Sequence, residues 1–249
     1  MQSLLQQTGV SADTEPHMQH CANQLGSAVL GVGLWADGVP CNWDRSQSLE
    51  CFSMFFPGWP KNFRQVRLPI LVLQKRFVIQ QQTFDDVCEV LKYSFGCLAA
   101  GVFPRTTPGG EAWHATDSKR RPWSGKPIGG KAVLCEVRGV WQTYSTLFRL
   151  GGWSSNNNCC WKCCANKAGM KQFTLDAPCR FRRLSHIQFL VRLHGMGLTV
   201  NPLFNCPFFS VNIFKIDLLH TMDLGCAADW IGNVFNYVLP PLRGSSAKE

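Results

Sequence analysis

The chain has 249 residues, 45% hydrophobic and 16% charged, which is enough for a packed core and excludes a chain disordered by its overall composition. Twenty-five Lys and Arg against sixteen Asp and Glu give a net charge of +9 and a pI near 9.0. That balance favours polyanionic partners, nucleic acid before an anionic membrane surface.

Residues 1–27 are polar and Gln-rich and read as a flexible tail or weak helix. They contain no basic region leading into an apolar stretch, which excludes a secretory signal. The apolar run 28–38, closed by Asp37-Gly38, suits a buried strand ending in a turn. Its Gly31-Val32-Gly33 is not a dinucleotide fingerprint, because no third glycine or helix follows. A second, aromatic strand at 50–58 stops at Pro57-Gly58, and a β-branched third follows at 67–78. Short links make these three antiparallel neighbours.

From Thr83, read as an N-cap, apolar residues at 84, 87, 90, 91, 95 and 98 form a helical stripe, with Asp85 and Asp86 in its first turn. Residues 104–130, rich in Pro, Gly and charge, read as a long exposed loop. Residues 131–139 suit a fourth strand, and those from Val140 a second helix. The order strand, strand, strand, helix, strand, helix predicts an α/β chain with the RNase H-like mixed sheet: three antiparallel strands, a crossover helix and a fourth strand, over 28–150. Residues 151–212 read as a cysteine-rich insertion containing a helix at 185–197 capped by Ser185. Residues 213–240 carry a strand or buried turn followed by a terminal helix, and 241–249 a disordered tail. No run approaches the eighteen or so apolar residues that span a bilayer.

Asp37 is the first candidate for chemistry. A carboxylate ending an apolar strand is costly unless solvated, hydrogen-bonded or bound to a metal, although Asp-Gly is also a common turn dipeptide. A two-Mg²⁺ nuclease needs a second acid at or just beyond the fourth strand, and the position expected for it is Val140. Glu136 shares its parity but lies more than about 12 Å back along the strand. Asp217 and His220, three apart on an apolar background, can share a hydrogen bond or a metal, as can any satisfied buried pair.

Cys160 and Cys163 form a C-x-x-C turn that can give two thiolates to a tetrahedral Zn²⁺, with His186, Cys179, His194, Cys206 and His220 as the stock of further ligands. Thirteen cysteines, an odd number, are otherwise expected as buried thiols in a reducing compartment, nuclear or cytoplasmic rather than secreted. Basic groups at Arg64/Arg67, Lys75/Arg76, Lys119/Arg120/Arg121 and Arg180/Arg182/Arg183, interleaved with Phe63, Trp123 and Phe181, suit contact with a phosphate backbone.

Four stretches in order carry a family resemblance. They are A-D-G-V-P-C-N-W-D-R-S at 36–46, E-V-R-G-V-W at 136–141, the C-x-x-C at 160–163, and D-L-L-H at 217–220 followed by M-D-L-G. Together, over roughly 28–240, they resemble the transposase core of CACTA-type (En/Spm-like) DNA elements, in a variant form of transposon-like sequences in protist, particularly dinoflagellate, genomes. The resemblance implies an RNase H-like fold, two Mg²⁺ ions and DNA strand cleavage and transfer. Asp37 matches its first metal-binding acid, and Asp217 and His220 match its D-x-x-H signature. The chain departs at Val140, where the pattern has Asp, and no third acid is recognisable, Asp223 and Asp229 standing in no match. The expectation is a truncated, catalytically degenerate transposase-derived protein that keeps DNA binding. The alternative is a non-enzymatic, zinc-stabilised module that binds nucleic acid or protein.

Overall fold

The computed structural model describes residues 14–44, 46–57, 66–151, 160–169, 174, 183–215 and 227–238. A five-stranded mixed sheet has the order β3-β2-β1-β4-β5, from β1 (Val29–Pro40), β2 (Ser48–Phe55), β3 (Leu68–Gln74), β4 (Lys131–Arg138) and β5 (Phe214–Lys215). The first three strands form an antiparallel meander, while β4 runs parallel to β1 and β5 parallel to β4. The helices are α1 (Thr14–Leu25), α2 (Gln80–Ala100), α3 (Trp141–Leu147), α4 (His186–Gly195) and α5 (Ala228–Asn233). Among the described residues, no helix is long and apolar enough to cross a membrane.

Helix α2 crosses from the meander to β4. Phe84, Cys88, Leu91 and Phe95, spaced four, three and four apart, put one stripe into a core with Val32, Leu34, Ala36, Leu134 and Val137. Met18 and Cys21 of α1 join Val133 and Cys135 in a second cluster. Strand β4 therefore feeds two cores, which is why residues 132–137 are buried throughout rather than alternating.

Three local expectations change. Residues 14–25, read as tail or weak helix, form α1. Helix α2 begins at Gln80 because Gln80, Gln81 and Gln82 favour helix and nothing breaks it. Thr83 thus sits inside the first turn, its hydroxyl accepting from the Ile79 amide at 3.0 Å. Asp85, beyond the first turn once the helix starts at Gln80, pairs with the buried Arg149, whose Nη1 also donates to the Thr199 carbonyl at 2.7 Å. The third change is at 104–130, a folded lobe rather than an open loop. The Phe103 amide donates to the Lys126 carbonyl (2.9 Å) and the Gly125 amide to the Phe103 carbonyl (3.1 Å), while Tyr93 of α2 donates to the Thr106 carbonyl (2.6 Å).

The described part of 151–212 shares the sheet's core through Phe189, Leu193, Leu203, Phe204 and Phe209. Ser185 caps α4 as expected, in a reciprocal box with Gln188. The Tyr144 hydroxyl lies between the carbonyls of Val137 (3.0 Å) and Lys215 (2.5 Å), joining α3 to β4 and β5.

Gly139 lets the end of β4 close against β1: a Cβ there would stand 2.7 Å from the Ala36 carbonyl oxygen. Gly139→Ala is expected to destabilise the fold by about 1–3 kcal/mol, read as a lower urea midpoint at unchanged m-value.

Candidate functional site

The C-terminal ends of β1 and β4 open onto a cleft of about 880 Å³. Asp37, half-buried on β1, is opposite Cys51 of β2, and Gly38 is opposite Glu50. On the other flank Trp35 is level with Arg138, so Val140, two residues further on, comes level with Asp37. Asp37, Glu50, Cys51, Lys75, Val140 and Trp141 all line the cleft. The two positions singled out from the sequence thus meet, one a carboxylate and the other an isopropyl group.

Glu50 is the acid that sequence reasoning missed. By sequence it is only the start of an aromatic strand, but β1 does not turn at Asp37-Gly38 as expected: it continues paired to Pro40, and the hairpin beyond brings the acid at 50 beside Gly38. Its carboxyl is held above the ordinary glutamate value, chiefly by burial and further by the charge of Asp37, against the opposing pull of Lys75. The Lys75 ammonium stands 4.0 Å from Oε1. The Cys51 thiol is pushed up by burial and then by Glu50 and Asp37, which disfavours its thiolate.

Glu136, more than a dozen ångströms from the expected second-acid position by strand spacing, is sealed. The Thr14 hydroxyl donates to Oε1 at 2.7 Å, and Arg138 donates from Nε (2.9 Å) and Nη2 (2.6 Å) to Oε2. Both of its oxygens are thus engaged, and the residue is 1% exposed.

Among the described residues, no three His, Cys, Asp or Glu side chains converge where they could hold a metal. The cleft's two carboxylates, one facing Lys75, do not fit a two-ion site. The expected zinc trio of Cys160, Cys163 and His186 does not assemble either. His186 packs beside Phe189 and Phe209, its Nδ1 is buried without a partner, and burial lowers its pKa. The cysteine turn is instead held from behind: Arg192 Nη1 donates at 3.0 Å to the carbonyls of both Cys160 and Cys163. Between the two cysteines, Trp161 packs 4.3 Å from the Trp141 ring and 5.2 Å from Tyr144. The ten described cysteines form no disulfide.

The basic positions lie on separate elements. Arg67 stacks 4.4 Å from the Trp35 ring before β3, and Arg183 pairs with Cys163 in a short bridge. Lys119, Arg120 and Arg121 are exposed on the lobe. Arg64, Arg180, Arg182, Asp217 and His220 fall outside the described residues. Against known protein families, curated proteins and solved structures, the chain matches none.

The raised Glu50 sets a pH signature. The folded state binds this proton more tightly than the unfolded chain does, so its contribution is full below the ordinary value of 4.5 and is lost as pH rises through the higher folded value. Glu50→Gln is therefore expected to melt higher than the parent at pH 7–8, the difference vanishing below about pH 4.5 in thermal melts across that range.

Proposed function

We propose that the protein is a transposase-derived, DNA-binding protein with an RNase H-like fold whose metal-dependent strand cleavage has been lost. Three features support the fold: the order β3-β2-β1-β4-β5, the antiparallel meander with two parallel additions, and the crossover through α2. The observation that carries the functional reading is the meeting of Asp37 and Val140 in one cleft at the carboxyl ends of the two central strands. That is where a nuclease of this architecture gathers acids around Mg²⁺, and here an apolar side chain stands in the second place. The charge of +9 and the exposed Lys119-Arg120-Arg121 support a polyanionic partner, which the resemblance makes DNA.

A second reading, a zinc-stabilised binding module, is favoured by the cysteine turn. The two carbonyls taken up by Arg192 leave Cys160 and Cys163 on a fixed backbone. No third ligating side chain joins them among the described residues, so further ligands would come from outside these.

Duplex DNA is expected to bind with a Kd that weakens at least about tenfold between 50 and 200 mM salt, measured by fluorescence anisotropy; a flat response overturns the DNA reading. Supercoiled plasmid with Mg²⁺ or Mn²⁺ is expected to stay intact, and nicking that disappears in Asp37→Ala would overturn the loss of cleavage. For the second reading, metal analysis of purified protein should find about one zinc per chain, and less than about half an equivalent sinks it.

A further inference from the structure

The lobe over 101–130 and helix α2 enclose a cavity of about 490 Å³ that the reading above leaves unused. It lies at the opposite end of β4 from Asp37, since the lobe leads into Lys131 and the cleft follows Arg138. By strand rise the two ends of β4 are about 23 Å apart. Its walls are aromatic: Tyr93 from α2, and Phe103, Trp113 and Trp123 from the lobe. Lys119 and Arg120 stand at the same cavity.

The walls are built in place. The Trp113 indole donates to the Pro104 carbonyl at 2.9 Å, Trp123 packs 5.4 Å from Phe103, and Tyr93 is bonded to Thr106. Cations lie against the rings, with Arg120 Cζ 5.3 Å from Trp113 and Lys126 Nζ 5.5 Å from Trp123. Arg120 is further oriented by Asp117, at 3.0 Å, and the Arg120 amide caps the same carboxylate at 2.8 Å. Over 101–130 there are five cations against two acids, Glu111 and Asp117. Trp123 remains half-exposed, so a flat hydrophobic surface this large is still open to solvent.

We propose that this cavity is a subsite for an unpaired nucleotide of single-stranded nucleic acid, the base against Trp113 and Trp123 and the phosphates on Lys119, Arg120 and Lys126. This rests on the nucleic-acid reading above and deepens it. Aromatic platforms beside a cationic rim are the combination that single strands use, because an unpaired base has a free π-face and a phosphate on either side of it. A duplex offers phosphates but no free base face, so it has no use for the apolar interior. A proline-rich peptide would use the rings but not the cations. The volume is within the range of about 300–1,000 Å³ that encloses small ligands.

The test is anisotropy with a fluorescein-labelled oligothymidine of about ten nucleotides and a blunt duplex of similar length, on the full chain. Trp113→Ala and Trp123→Ala are expected to weaken single-strand binding about 5- to 100-fold and to change duplex binding less than about twofold. Trp123→Phe, which keeps a ring, should retain most of the affinity. Trp113 holds the lobe through Pro104, so Trp123, with no such bond, decides if Trp113→Ala melts early. Equal loss on both probes, or none on either, overturns the subsite while leaving DNA binding intact. No binding of either probe by the unaltered protein overturns subsite and nucleic-acid reading together. A proline-rich peptide that binds, loses affinity in Trp123→Ala and is not displaced by the oligonucleotide also overturns the subsite.

Discussion

The parallel pairing of β1 with β4, and the one-residue irregularity within it, sets where every other group of interest falls. Val32 is opposite Leu134, but the next residue, Gly33, is opposite Glu136, so Cys135 is an extra residue in β4. Side chains alternate along a strand, and a slip of one residue exchanges the two faces. With unbroken register Glu136 would stand opposite Leu34, inside the apolar core beneath α2. The bulge turns it to the α1 side, where Thr14 and Arg138 satisfy its oxygens. It also sends Val137 into the α2 core and brings Val140, rather than Gly139, level with Asp37.

The two ends of the sheet differ in chemistry. At the carboxyl ends of β1 and β4, Asp37 and Glu50 share a cleft with Lys75, and burial makes Glu50 hold its proton more tightly than usual. At the other end, cations outnumber acids beside a set of rings. A polyanion meets attraction at the lobe and little at the cleft unless other positive charge intervenes. A carboxylate site in a transposase-like nuclease relies on metal ions to reverse that repulsion, and among the described residues no three metal-ligating side chains converge at this cleft.

The strands and the crossover helix were legible because they rest on local signals: β-branched and aromatic runs, then a clear helical stripe, although β1 runs on through Asp37-Gly38, the turn expected to close it, to Pro40. The Ser185 cap was equally plain, since a hydroxyl and a glutamine three residues on define it locally. What escaped depended on partners distant in the chain. The polarity of 14–25 hid Met18 and Cys21, whose burial requires β4 more than a hundred residues away. Pro and Gly made 104–130 look open, although its order comes from backbone bonds between its own ends and from Tyr93. Glu50 looked like an ordinary strand residue until pairing set it beside Gly38. In the cysteine segment, spacing drew attention to the thiols, while Trp161 between them is what fastens the turn to α3.

The distance along the chain between the two central strands bears on how the protein is made. Val29 must wait for Lys131, about a hundred residues later, which at ribosomal rates of about 5–20 residues per second is about 5–20 s. During that interval the meander can form by itself, yet β1 still lacks a neighbour on its open side, and the α1 side has nothing from β4 to bury. Helix α2 can dock first, because its stripe meets Val32, Leu34 and Ala36 directly. The emerging chain thus passes through a stage with one helix seated and an unpaired apolar strand edge exposed, the point at which a chaperone or a neighbouring nascent chain would most readily engage it.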